Sequence, residues 1–166
     1  SVKGEAVCDA PNLLLRKWAA PEFSVSAGID ISCLMPGDMA GLVSLGRRYF
    51  VLGFCREQDE IRMIFGTGEI GGNERFREFP PVKTEEIKPD IRLGMNVRAD
   101  GTGSFLLNEG NCWKMICEGV SFTPGYWTGV KYGFFAVHSG KAAKTEAGSL
   151  FVKDVVVSEK QLTVLS

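Results

Sequence analysis

Hydrophobic residues along this chain recur at every second position far more often than at every third or fourth. Phe23, Val25, Ala27, Ile29, Ile31 and Cys33 alternate with Ser24, Ser26, Gly28, Asp30 and Ser32, the period-two signature of a strand with one buried and one wet face. Ile91, Leu93, Met95 and Val97 alternate with Arg92, Gly94, Asn96 and Arg98, and Ala99-Asp100-Gly101-Thr102 reads as a hairpin turn into Phe105-Leu106-Leu107. Residues 40–46 and 49–56 are apolar on both faces and rich in glycine, which predicts neighbouring central strands joined by a tight connection at Arg47-Arg48. The same two-faced pattern marks residues 130–137, where Val130, Tyr132, Phe134 and Ala136 share one face and Phe135 and Val137 the other. A Pro/Gly turn with two large aromatics, Tyr126 and Trp127, precedes that strand and makes it the stretch the chain is organised around.

Further strands are expected at residues 61–65, 113–117 and 150–157, with an apolar triplet at Leu13-Leu14-Leu15. Between residues 66 and 89 the period dissolves into Gly71-Gly72-Asn73, Pro80-Pro81 and Lys83-Thr84-Glu85-Glu86, so short edge strands or a long loop are expected there. Residues 139–144 read as a mobile connection and the tail from Ser158 as loosely held. Nowhere does a 3.6-residue pattern persist with caps. The expected fold is all-β, a two-sheet antiparallel β-sandwich or jelly roll, and 166 residues are the size of one domain, residues 1–166.

Charge narrows the partners. Nineteen Lys and Arg against twenty Asp and Glu leave a net charge of −1, with the basic residues scattered, which argues against a nucleic-acid or anionic-membrane partner. No apolar run approaches the roughly 20 residues of a membrane span. Ser1-Val2-Lys3-Gly4-Glu5 has neither a signal-peptide core nor an initiator Met, so a processed chain or a piece of a longer one is expected. Five cysteines, Cys8, Cys33, Cys55, Cys112 and Cys117, are irregularly spaced without a C-x-x-C pair. That pattern speaks against a metal cluster, leaves a disulfide between Cys112 and Cys117 open, and does not separate a secreted or periplasmic from a cytoplasmic location.

Chemistry is sparse. Nucleophilic catalysis by Ser or Cys needs a base within hydrogen-bond reach, and His138, the single histidine, closes an apolar strand. Gly66-Thr67-Gly68 is not followed by a helix that could hold a phosphate. A glycosidase needs two carboxylates facing a cleft. Here Asp30 and Asp154 alternate with core residues while most glutamates fall in turns, so independent catalysis is not expected. No cofactor is signalled. A structural Ca²⁺ held by Asp154, with Asp38 and Asp30 as the other side chains, stays an alternative to solvated carboxylates. Trp18, Trp113, Tyr126 and Trp127 sit at strand ends or beside turns, where a ring either caps the core or stacks on a sugar. Trp113 is assigned to packing.

Several stretches together resemble one module. Ala10-Pro11-Asn12-Leu13-Leu14-Leu15-Arg16-Lys17-Trp18 and Ala20-Pro21-Glu22-Phe23-Ser24-Val25 resemble the opening of the C-terminal domain of family 43 glycoside hydrolases. Met39-Ala40-Gly41-Leu42-Val43-Ser44-Leu45-Gly46-Arg47-Arg48-Tyr49 resembles that domain's hairpin. Val97-Arg98-Ala99-Asp100-Gly101, the run from Phe122 through Trp127 to Phe135, and Phe151-Val152-Lys153-Asp154 follow in matching order. The resemblance implies a concanavalin A-like β-sandwich that follows a catalytic five-bladed propeller in β-xylosidases and arabinofuranosidases, packs against it, and lends one aromatic to its sugar pocket. Trp127, or Tyr126 if the loop is shifted, aligns with that aromatic. Two departures stand out: Arg16 replaces the family's usual Gln, and the family's N-terminal Trp-Gln-Trp-Asn-His-Asn-Pro strand is missing. The expected function is a non-catalytic accessory domain of a glycoside hydrolase acting on xylan- or arabinan-type sugars. The alternatives are a stand-alone carbohydrate-binding module or lectin-like domain, with Tyr126, Trp127 and Trp18 stacking on a plant-type oligosaccharide, and an interaction domain that dimerises through an apolar patch.

Overall fold

Strands with one apolar face must hide it, and two stacked sheets hide both at once. The computed structural model describes residues 7, 12–86, 90–110, 112–125, 129–138 and 148–164. Its strands are β1 (Asn12–Lys17), β2 (Phe23–Asp30), β3 (Asp38–Leu45), β4 (Arg48–Glu57), β5 (Glu60–Glu69), β6 (Glu74–Glu78), β7 (Val82–Lys83), β8 (Ile91–Val97), β9 (Thr102–Glu109), β10 (Trp113–Ser121), β11 (Lys131–His138) and β12 (Phe151–Ser158). One larger sheet runs β1-β11-β3-β4-β5-β6, with β7 also paired to β5, and a second runs β10-β9-β8-β2-β12. Every pairing is antiparallel. The expected all-β sandwich is what forms, and no described helix is long and apolar enough to cross a membrane.

The main core lies between the sheets. Phe23, Val25, Ala27 and Ile29 of β2 and Leu93, Met95 and Val97 of β8 meet Leu42, Leu52, Phe54, Tyr132 and Phe134 of the larger sheet. The central strands β3, β4 and β11 are also buried on their outer face, as their two-faced pattern predicts. There Val43, Tyr49, Val51, Phe135 and Val137 form a second cluster with Val7. The Val7 N–H donates to Oε1 of Glu74 at 2.7 Å, and the Tyr49 hydroxyl bonds the same oxygen.

Three features of the structure lay beyond the sequence pattern. β5 continues through Gly66-Thr67-Gly68, where the hydrophobic period fails. A side chain at Gly66 would strike the Phe76 ring and one at Gly68 the Tyr49 ring, so glycine stands where a neighbour's aromatic fills the layer. Next, the face of β2 expected to be wet is covered, and Ser24 and Ser26 are only 2% and 6% exposed. What covers it includes the tail expected to be loose. Asn96 clamps Leu162 from both sides, its Nδ2 donating to the Leu162 carbonyl at 2.9 Å and its Oδ1 accepting the Leu162 N–H at 2.8 Å. Ser24 Oγ donates to the Lys160 carbonyl, and Gln161 Nε2 donates to the carbonyls of Phe23 and Val97. Finally, Cys112 and Cys117 carry free thiols, and β10 bends through two bulges, one between Met115 and Cys117 and one between Glu118 and Val120. The 139–144 connection lies outside the described residues.

Two outcomes follow from this packing. Asn96→Ala removes both bonds to the strap, each worth about 1 kcal/mol; a urea melt should lose about 2 kcal/mol, and the Leu162 amide should exchange far faster. An unchanged melt and protected Leu162 amide would contradict the clamp. For the thiols, burial chiefly, helped by Glu57 and Glu78, pushes Cys55 up to about 11. A disulfide reagent at pH 8 should therefore titrate the exposed Cys33 and Cys112 first and leave Cys55 protonated and slow, which mass mapping of the labelled peptides would reveal.

Candidate functional site

One end of the sandwich gathers the turns that carry the aromatic stretch. The β1–β2 connection at Trp18, the β3–β4 turn at Gly46-Arg47, the β5–β6 turn at residues 70–73, the β8–β9 turn at residues 98–101 and the segment after β10 all lie there. Phe122 is the root of that segment. It is 7% exposed, and its ring meets Trp18 edge-on at 5.4 Å between centroids, Phe50 at 5.9 Å and Phe105 at 6.4 Å. Its N–H donates to the Gly101 carbonyl at 2.9 Å. Thr123 is held next: its carbonyl accepts the Arg47 N–H at 3.1 Å and its hydroxyl the Arg48 N–H at 3.2 Å. The Thr123 carbonyl lies so close to Gly46 that a Cβ there would collide with it. The chain therefore leaves β10 on a fixed base, re-entering the core at Val130, 7% exposed.

The sequence-predicted aromatics divide. Tyr126 and Trp127 lie outside the described residues. Trp18 is half-buried, edge-to-face with both Phe23 and Phe122, and its Nε1–H finds no partner among the described residues. Its ring packs the root of the aromatic segment from beneath. Trp113 packs beside Leu162 over Gly94 on the outer face of the second sheet.

A polar cleft of about 350 Å³ opens beside this base, lined by Arg48, Thr67, Gly68, Glu69, Asn73 and Arg75. Arg48 lies over the Phe50 ring and 3.8 Å from Glu69. Both members of that pair are about half exposed, at 46% and 65%, so water screens it and it contributes little to stability. Sequence reasoning took Arg47-Arg48 only as a turn. The cleft joins Arg48, which begins β4, to Arg75 of β6, and only the pairing of both strands with β5 brings them together.

Among the described residues, the acids that make hydrogen bonds are held in separate local contacts. Asp38 is the one buried carboxylate among the described residues, and donors surround it. Met35 and Gly148 N–H groups donate to Oδ2 at 2.7 and 2.8 Å, and His138 Nδ1 lies 2.7 Å from Oδ1. This latch ties the start of β3, the end of β11 and the segment before β12 at the end of the sandwich remote from the cleft. Asp30 caps its own turn, the Ser32 side chain and N–H holding its carboxyl below the usual range. Thr102 does the same for Asp100 in the hairpin at the loop end. Asp154, expected to alternate with core residues, instead sits exposed with φ 50° in the β12 bulge, its carbonyl accepting from Arg92 at 3.0 Å. No group of three His, Cys, Asp or Glu that could hold a metal forms around it or elsewhere among the described residues.

The fold recurs in solved enzymes. A GH43 glycoside hydrolase, engineered to display both endo-xylanase and exo-arabinofuranosidase activity, superposes with a TM-score of 0.71 at 22% identity over 89% of this chain and 31% of its own. A bifunctional GH43-CE protein of Bacteroides eggerthii does so with a TM-score of 0.72 at 20% identity over 94% and 20%. The xylan β-1,4-xylosidase from Bacillus halodurans C-125 gives 0.67 at 14% over 88% and 29%. This chain thus spans about a fifth to a third of the length of those proteins. No curated protein sequence matches it. The family profile of the β-xylosidase C-terminal concanavalin A-like domain matches residues 4–148, which hold every strand but β12, and the chain belongs to that family.

Proposed function

We propose that this chain is a non-catalytic accessory domain that packs on the catalytic β-propeller of a family 43-type glycoside hydrolase acting on xylan- or arabinan-type sugars, and that Trp127, or Tyr126, walls the propeller's sugar pocket. The observation that carries this reading is the base under the aromatic segment. Phe122 is locked among Trp18, Phe50 and Phe105, and Thr123 is pinned to the β3–β4 turn, immediately before Pro124-Gly125-Tyr126-Trp127. A loop that must place one ring in a neighbour's pocket needs such a rigid mount, because a misplacement of about 1 Å is enough to lose much of a positioning effect. The chemistry supports the same reading: Asp38, the one buried acid among the described residues, is saturated by donors and remote from the cleft. The matched enzymes are three to five times as long as the matched part, which leaves length for a catalytic domain beside the sandwich.

Three measurements test this. The 166-residue chain should show no turnover of aryl β-xylosides or α-L-arabinofuranosides; robust turnover abolished by changing one carboxylate would refute the accessory role. In the propeller-bearing enzyme, Trp127→Ala should lower kcat/KM about tenfold, the effect of losing one stacking contact of roughly 1.5 kcal/mol. Unchanged kinetics for both Trp127→Ala and Tyr126→Ala would remove the pocket-wall role, and calorimetric binding of xylo-oligosaccharides to the chain alone, lost in Trp127→Ala, would favour a binding module instead.

A further inference from the structure

The cleft beside the loop base has a composition that the accessory role does not use. Register places its polar side chains on one face: Arg48 is opposite Glu69, Phe50 opposite Thr67, and Thr67 opposite Arg75. Directly opposed residues share a face, so Arg48, Thr67, Glu69 and Arg75 all point to the side on which Phe50 enters the core. The two arginines stand two strands apart, roughly 10 Å, and both line the cleft together with Thr67 of the strand between them. The Arg75 guanidinium has no ion-pair or hydrogen-bond partner among the described residues, and the Arg48 guanidinium, which lies over the Phe50 ring, has only the long, exposed ion pair with Glu69. The volume of about 350 Å³ lies within the range of small-molecule sites, which begins at about 300 Å³.

We propose that this cleft binds the carboxylate of an acidic sugar, a uronic acid residue carried on a plant-type glycan. Two guanidinium groups and one carboxylate give the lining a charge of +2 − 1 = +1, the complement of one monoanion and a poor match to a phosphate dianion. The planar guanidinium fork suits a carboxylate, which it can hold through two parallel hydrogen bonds. Glu69, Asn73 and Thr67 supply acceptors and donors for ring hydroxyls, a function idle if the ligand were a bare inorganic anion. This site requires no propeller, so it stands or falls separately from the pocket-wall role of Trp127.

The test uses the 166-residue chain titrated with methyl β-D-glucuronide, methyl β-D-glucoside and inorganic phosphate, read by calorimetry and by amide chemical shifts. The glucuronide should bind at least tenfold more tightly than the neutral glucoside or phosphate, shift the amides of Thr67 and Asn73, and weaken as salt is raised. Arg48→Gln and Arg75→Gln should each weaken it roughly tenfold, the loss of one charge-assisted hydrogen-bonding group, while Arg16→Gln on β1 leaves it unchanged. Equal binding of the glucuronide and the glucoside, equal binding of phosphate, an equal loss in Arg16→Gln, or unmoved Thr67 and Asn73 amides would each overturn the assignment. The shift measurement needs only the unaltered chain and so decides the matter even if a variant fails to fold.

Discussion

Contact between aromatic rings across the gap separating the two sheets is the constraint on which the rest of this molecule depends. Backbone hydrogen bonds fix strands within a sheet, but the sheets meet through side chains, and their relative position is set by how those side chains interlock. Phe105 of β9 reaches across to Phe50 of β4 and Phe65 of β5, at centroid distances of 6.5 and 5.5 Å. Phe23 of β2 meets Tyr132 of β11 at 5.5 Å. Phe122 closes the set between Trp18, Phe50 and Phe105. Such pairs add about 0.5–1.5 kcal/mol each beyond the area they bury, and their tilted and edge-on geometries are directional in a way aliphatic contacts are not. A slip of one sheet over the other would break all of them together.

That constraint explains where variable chemistry can be placed. The aromatic cluster lies at one end of the sandwich, so the turns rooted in it inherit its rigidity while their tips remain free to differ. Trp18 shows the cost of this arrangement. Its indole N–H is buried without a partner among the described residues, a loss of about 1–3 kcal/mol for the group, accepted because the ring's two edge-on contacts fix the base of the following segment. The opposite end is secured differently, by the Asp38 carboxylate and the backbone and His138 groups that converge on it. One end is held by shape and the other by polar saturation.

Strand positions were legible because alternation is a local property. β2, β8 and the central pair β3 and β4 lie where period-two and two-faced patterns put them, and the short turn between β3 and β4 made their antiparallel pairing legible, whereas the pairing of β2 with β8 joins strands far apart in the chain. What the chain could not disclose was anything decided by distant neighbours. Gly66 and Gly68 break the pattern because rings of Phe76 and Tyr49 occupy their places, Ser24 and Ser26 are buried because residues 160–162 fold back over them, and Asp154 leaves the alternation because β12 bulges there. The ordered motifs identified the family, whereas the cleft at Arg48 and Arg75 depended on β6, a strand whose short polar sequence gives no periodic signal.

Asp38 shows how completely the far end of the sandwich is committed to structure. A general acid or base must exchange its proton with a substrate, and it needs a free lone pair or proton facing solvent to do so. Asp38 accepts from two backbone amides and faces His138, and both members of that pair are largely withdrawn, at 6% and 19% side-chain exposure. It begins β3, whereas Gly46 beyond the strand's other end touches the aromatic segment, a separation of roughly 25 Å at about 3.3 Å per residue. The one histidine and the one buried carboxylate among the described residues are therefore committed to the end of the sandwich that the loops and the cleft do not share. Polar saturation thus closes one end of the sandwich, while the other end leaves Arg48 and Arg75 facing an open cleft.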